Sequence, residues 1–321
     1  MKHAKKLITL LVILIFVAYF ALNVGQFKPL LHVNVYLLFV IAIADFLAIA
    51  ANGLFIKFIL EPFGKYISVI ESVYVSLISA VGNFFAPIGA GFGFRAVYLK
   101  KKHGLKYGDF ISTLYGNYII VFLVNSFFAL LALYLLRGKQ DSEYFVLVAI
   151  FGSLFGVSLL LSLVKLPELN RELKNKHLNR LAKTLLGVIK GWNQIVSNKK
   201  LLTRLIAIVV FNFAIALTVA RLEIAALHFS ITFPALLLFS VLGFLSLFVN
   251  ITPANLGVKE AIYIFSASVI GFSTGQILSI ALIDRGVLFI VLAASWFISS
   301  RTKNTRDLLS IGQIKDGETV D

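Results

Sequence analysis

The sequence has no cysteine, which rules out disulfides, thiolate nucleophiles and cysteine-ligated metals as a basis for fold or function. Charge is scarce as well. Asp, Glu, Lys and Arg make up 14% of 321 residues against 59% hydrophobic, and the mean hydropathy is +0.93. No soluble domain hides that much apolar surface, so the composition implies an integral membrane protein. Acidic residues number 15 against 30 Lys and Arg. In a soluble protein this excess would suggest nucleic acid. Here the basic residues lie between apolar runs, where the positive-inside bias and anionic headgroups account for them, and no nucleic-acid partner is expected. The five His, at 3, 32, 103, 177 and 228, lack metal-ligand spacing, and Ser residues within the spans have no nearby His. No phosphate-binding loop occurs. The expectation is therefore no metal, no cofactor, no ATP use and no enzymatic activity; a carboxylate-based lipid transferase using Glu260 and Asp284 is the enzymatic alternative.

Apolar runs able to cross about 30 Å of hydrocarbon, roughly 20 residues each, recur along the chain. Full spans are predicted at 7–24, 35–56, 108–136, 144–164, 203–226 and 275–299. The first follows Lys2, His3, Lys5 and Lys6 and reads as a signal-anchor, because no small-x-small cleavage site follows. Two further apolar stretches, 66–94 and 234–270, are interrupted by Gly and Pro. If each crossed once, the loop 165–204, with ten Lys and Arg against two Glu, would face outward. If each enters and leaves on one side, every basic cluster falls in the cytoplasm.

The fold class that follows is an all-α integral membrane protein with about six full transmembrane helices and two Pro/Gly-broken re-entrant hairpins, arranged as an inverted repeat. The first membrane half is 1–164 with a hairpin at 66–107. A basic amphipathic connector occupies 165–202, the second half is 203–300 with a hairpin at 234–270, and a polar tail fills 301–321. The segment His103 to Ser112 aligns with Ile270 to Ser279, placing Gly104, Gly108 and Ser112 beside Gly271, Gly275 and Ser279. Inverted repeats of this kind hold their sites on discontinuous helices at the repeat interface.

The hairpin breaks fall at Pro87, Gly89 and Gly91 and at Pro253 and Gly257. Proline removes a donor and glycine permits left-handed backbone, so each motif can end one half-helix and start another. Irregular backbone at membrane depth survives only where protein or water satisfies it, and amides at a new helix start favour anions. A plain surface turn is the alternative. A carboxylate or guanidinium at mid-span costs about 2.5–3.5 kcal/mol, which makes the intramembrane charges candidates. Glu260 on the second hairpin and Arg285 in the last span are expected to meet, with Asp284 turned toward another polar group, either as a structural pin or as part of a headgroup site. Arg95 suits a bidentate phosphate clamp or a positive-inside anchor. Asp45 lies mid-span, Arg221 and Glu223, late in the span 203–226, are read as further buried charges or as residues of the outer interface, and Asn83, Asn117, Asn125, Asn212 and Asn250 are assigned to interhelical hydrogen bonds. Leu178, Leu181, Leu185, Ile189, Trp192 and Val196 recur at helical spacing and predict an interfacial helix on the cytoplasmic leaflet.

Pro87 through Gly91 to Arg95, with the basic helix and Gly-x-x-x-Gly-Asp turn that follow, resembles the first signature of the lysylphosphatidylglycerol synthase transmembrane-region family. Pro253-Ala254-Asn255-Leu256-Gly257-Val258-Lys259-Glu260, then Gly271 and Asp284-Arg285, is similar to its second. The chain departs from the family pattern at Phe94 and at Gly116-Asn117, where an acidic residue and a Glu-Arg pair are usual. The resemblance implies a lipid-handling protein of the cell (plasma or inner) membrane, multi-pass, with both termini cytoplasmic. Only about 22 polar residues follow the last span, so the synthase's soluble aminoacyl-transferase domain is expected to be missing. Translocation or presentation of an anionic or polyprenyl-linked lipid is the resulting expectation, with Arg95, Glu260, Arg285 and Asp284 as headgroup residues. The alternative is a non-transporting scaffold for a lipid-modifying or glycosyltransferase enzyme. Single cysteines at Lys101 and Lys174 should react with an impermeant maleimide only from the cytoplasmic side; labelling of either from outside would overturn this topology.

Overall fold

In the computed structural model, residues 24–85, 89–137, 142–165, 167, 176–248 and 252–300 are described. The expected span 7–24, Pro87, Asn250, Lys174 and the tail 301–321 lie outside them. The helices are α1 (Val35–Ile59), α2 (Val69–Phe85), α3 (Ala90–His103), α4 (Tyr107–Leu135), α5 (Ser142–Leu163), α6 (Lys176–Ser197), α7 (Lys199–Ala226), α8 (Phe233–Leu242), α9 (Val258–Phe265), α10 (Ala267–Ile270) and α11 (Thr274–Ser300). Short 3₁₀ turns cover Val24–His32, Glu61–Phe63, Gly243–Phe248 and Pro253–Asn255, and no strand occurs among the described residues. The fold is thus an all-α membrane protein. α1, α4, α5, α7 and α11 are long and apolar enough to cross a membrane, whereas α2 and α8 are apolar but short.

Local sequence sets the helix ends. Asn34 caps α1 by accepting from the Tyr36 and Leu37 amides, and Asn198 caps α7 by accepting from Leu201. Gly104 and Gly271 adopt left-handed backbone (φ +63° and +86°) and terminate α3 and α10. α1 packs between α7 and α2, α4 against α5, α6 and α8, and α11 against α1, α2 and α9. The largest apolar core draws Ile41, Leu133, Phe151, Ile224, Leu238 and Ile280 from six of these helices. Phe39, Phe127, Leu160 and Ile290 stay exposed on the outside, an apolar surface that suits lipid.

The two broken stretches are built differently. α3 folds back on α2 through glycine contact: a Cβ on Gly91 would lie 1.9 Å from the Ser79 carbonyl oxygen, and one on Gly82 would lie 2.8 Å from the Gly91 Cα. Asn83 secures the approach by accepting from the Gly91 amide at 3.0 Å. At the second break α8 ends at Leu242, Gly243–Phe248 and Pro253–Asn255 form 3₁₀ turns, and Ala254, Asn255 and Gly257 stand at φ +50°, +54° and +82°. Gly104 and Gly271 end helices in the same way, α4 and α11 begin in register with them, and the Ser112 and Ser279 hydroxyls donate to the Gly108 and Gly275 carbonyls at 2.9 and 2.8 Å. The ten-residue match therefore performs one local task twice.

Helix α6 corrects the interfacial reading over its C-terminal half. Trp192 and Val196 are buried, the Trp192 indole donates to the Leu161 carbonyl at 3.1 Å, and Gly191 lies tight against Ser112. Only Leu185 among the described stripe residues is broadly exposed, at 62%. A small residue at Gly116 admits the Trp192 ring, so the stripe faces protein rather than lipid here.

Gly91→Ala should lower stability by roughly 1–3 kcal/mol through overpacking, read as a lower midpoint of thermal unfolding in detergent. Gly93→Ala meets nothing within 4 Å and should leave the midpoint unchanged or slightly raised. Equal behaviour of the two variants would mean that α2 and α3 are not held this closely.

Candidate functional site

A cavity of about 580 Å³ lies between the two broken stretches, walled by α1, α2, α4, α7 and α11. Its polar lining comes from both halves: Asn83, Arg95 and Asn117 from the first, Lys259, Asp284 and Arg285 from the second.

At the second break, Arg285 and Glu260 meet. Arg285 Nη2 and Nε lie 2.6 and 2.8 Å from Glu260 Oε1. The other carboxylate oxygen accepts from the Gly257 amide at 2.8 Å. Arg285 Nη1 donates to the Ala254 carbonyl at 2.8 Å and Nη2 approaches that of Asn255 at 3.4 Å. One ion pair thereby ties the start of α9 to the left-handed residues before it. Asp284, one position away and so turned about 100° around the helix, pairs with Lys259 at 2.7 Å. One amide at each new helix start is taken, that of Gly91 by Asn83 and that of Gly257 by Glu260.

The first half is wired otherwise. Arg95 is partly buried beside the rings of Phe92 and Phe110, 5.2 and 5.7 Å from their centroids, and close to Tyr118. Among the described residues its guanidinium has no carboxylate and no hydrogen-bond partner. Glu71 is the single acid in residues 66–107, and it accepts from Tyr98, from Lys102 at 3.0 Å and contacts His103 at 2.8 Å. Burial pushes the Glu71 carboxyl up, but those hydrogen bonds outweigh it and hold the group below its ordinary value. Counted from the matched glycines, Asn117 and Tyr118 occupy the places that Asp284 and Arg285 hold in the second half. Where the second half has two ion pairs, the first has two neutral side chains and an arginine left over.

The break residues fall as follows: Gly89 caps α3 with φ +63°, Gly91 makes the glycine contact, Pro253 opens a 3₁₀ turn and Gly257 caps α9. Of the two readings of Glu223, burial holds and the outer interface does not. The residue is 4% exposed and lines the cavity with Asp45, while Arg221 points out to the surface. Asn212 reaches Asn52 across helices at 3.4 Å, but Asn125 donates to Val121 of its own helix. Lys259 and Tyr118 received no role from sequence; the first was visible only inside the second motif, the second only by counting along the repeat.

Arg285→Ala strands a buried carboxylate and two carbonyls, and should cost about 3–5 kcal/mol. Adding Glu260→Gln should recover part of that loss in thermal unfolding, because the amide oxygen can still accept from Gly257. An equal loss in single and double variants would deny the pairing.

The chain matches the family described as Lysylphosphatidylglycerol synthase TM region over residues 6–295. Searches of the curated proteins and of the solved structures each return no match. The motifs at both breaks and the span of that match agree: this polytopic membrane protein belongs to the lysylphosphatidylglycerol synthase transmembrane-region family.

Proposed function

We propose that the protein passes a lipid between leaflets, or presents it, with the headgroup in the central cavity and its anionic group on Arg95. The observation that carries this reading is the guanidinium itself, cationic, partly buried and, among the described residues, without a counter-ion at the wall of a cavity between the apolar helices. A planar fork of donors in that position suits a phosphate, which it can take bidentately. Asn212 and Asn255 line the same space, and side-chain amides there suit the hydroxyls of a glycerol or sugar headgroup. The substrate class is therefore an anionic phospholipid or a phosphate-linked polyprenyl lipid. Glu260 and Arg285 serve this site by fixing the break, and Asp284 orients Lys259 toward it. The activity is transport or presentation rather than chemistry, and no cofactor enters. In the cell membrane, with both termini cytoplasmic, the first break would open from the cytoplasm and the second from the exterior.

Lipids that co-purify in mild detergent test the proposal by mass spectrometry. One headgroup class should be enriched with wild type and reduced about tenfold with Arg95→Ala, the scale set by one charge-assisted contact, and Arg95→Lys should retain part of it. Absence of any selective enrichment, with both proteins folded, would favour a non-transporting partner of a lipid-modifying enzyme.

A further inference from the structure

Three carboxylates and one ammonium line the same cavity. Glu223 on α7 interacts electrostatically with Asp284, Lys259 and Asp45, and Asp45 on α1 with Asp284 and Lys259. Lys259 pairs with Asp284, which cancels one negative charge. The remaining cations do not reach the other two. Arg285 is held by Glu260 and the break carbonyls, and Arg95 has Tyr118 as its titratable neighbour. Tyr263 on α9 adds a neutral phenol near Lys259, and α8 carries no titratable residue. Asp45 and Glu223 are thus left over.

Glu223 is the more constrained of the two. It is 4% exposed, and its Oε1 is buried with no hydrogen-bond donor, while the residue itself lines the cavity. An ionised carboxylate held this way lacks both solvation and a counter-ion, which is far more costly than burying the neutral acid. Among the described residues no three His, Cys, Asp or Glu side chains are grouped so as to hold a metal ion.

We infer that Glu223 is a proton-binding site of the cavity. A proton delivered by water bonds to Oε1 and takes the group from −1 to 0; its departure restores the carboxylate, and the Lys259–Asp284 pair stays intact throughout. Asp45, on α1, is the other carboxylate of the set without a cation. Joined to lipid passage, and resting on that reading for this clause alone, the site gives the cavity a charge that can change in step with its contents.

Infrared difference spectroscopy on the full chain in maltoside detergent reads the proton directly and needs no lipid, so a failure of the lipid test leaves it untouched. On going from neutral to alkaline pH, wild type should lose one protonated-carboxyl band per chain, and that band should shift in D₂O. Glu223→Gln should lack the band, Asp45→Asn should keep it, and Glu223→Asp should retain it at an altered frequency, which covers the case of a misfolded glutamine variant. Absence of the band from folded wild type, or its persistence in Glu223→Gln, would overturn the assignment. So would removal of the band by sodium at fixed pH, which would make a cation the neutralising partner.

Discussion

Breaking a helix inside hydrocarbon frees backbone carbonyls and amides where the lipid offers no partner, and each unsatisfied group there costs several kcal/mol. The second break of this protein meets that constraint with one side chain. Arg285 reaches from α11 to the carbonyls of Ala254 and Asn255, and Glu260 both neutralises it and accepts from the Gly257 amide. Three consecutive demands, a charge, two acceptors and a donor, are closed by one ion pair. The left-handed residues Ala254 and Asn255, each unfavourable by itself, persist because this clamp fixes the backbone on both sides of them. The cavity inherits its shape from the same contacts, since Arg285 and Asn255 form part of its wall.

The first break meets the constraint by close packing. Gly82 and Gly91 bring two backbones nearer than any side chain would allow, and one asparagine oxygen takes the freed amide. No charge is consumed in doing so. That difference accounts for the unpaired state of Arg95: the acid of this hairpin, Glu71, is engaged by Tyr98, Lys102 and His103. The positions that would carry a pair by repeat are Asn117 and Tyr118. The two halves share register but not chemistry, and the asymmetry leaves one cation available to an anion.

Much of this was legible in the residues. Long apolar runs marked the five described spans to within a few positions, because length and hydropathy suffice when the solvent is lipid. The meeting of Glu260 and Arg285 could be read from their depth and the cost of leaving either alone. The divergence of Asp284 from Arg285 followed from helical geometry. What could not be read was which face of a helix meets protein. The Trp192 stripe has the same period whether it lies on headgroups or on α4, and only the small residues Gly116 and Gly191, far apart in sequence, decide for α4. Glu223 stayed open between burial and the outer interface for a similar reason, since a place near the end of a span fits either until α1, α9 and α11 close around it.

The placement of charge also explains why a polar cavity is compatible with so apolar a chain. A pair such as Lys259 and Asp284 presents a dipole rather than a net charge, so a wall built from pairs costs little beyond the burial of each partner. An unpaired group is different, because its charge must be met by whatever occupies the space. Arg95 leaves a positive remainder at one side of the cavity, and Asp45 with Glu223 a negative one among the residues of α1, α7, α9 and α11. Neither remainder reaches the other through a direct contact among the described residues. A cavity with two such remainders is most stable when each is answered locally, by an anion at the arginine and by a proton at the carboxyls. The occupant that satisfies the first need not satisfy the second, so each remainder calls for a partner of its own.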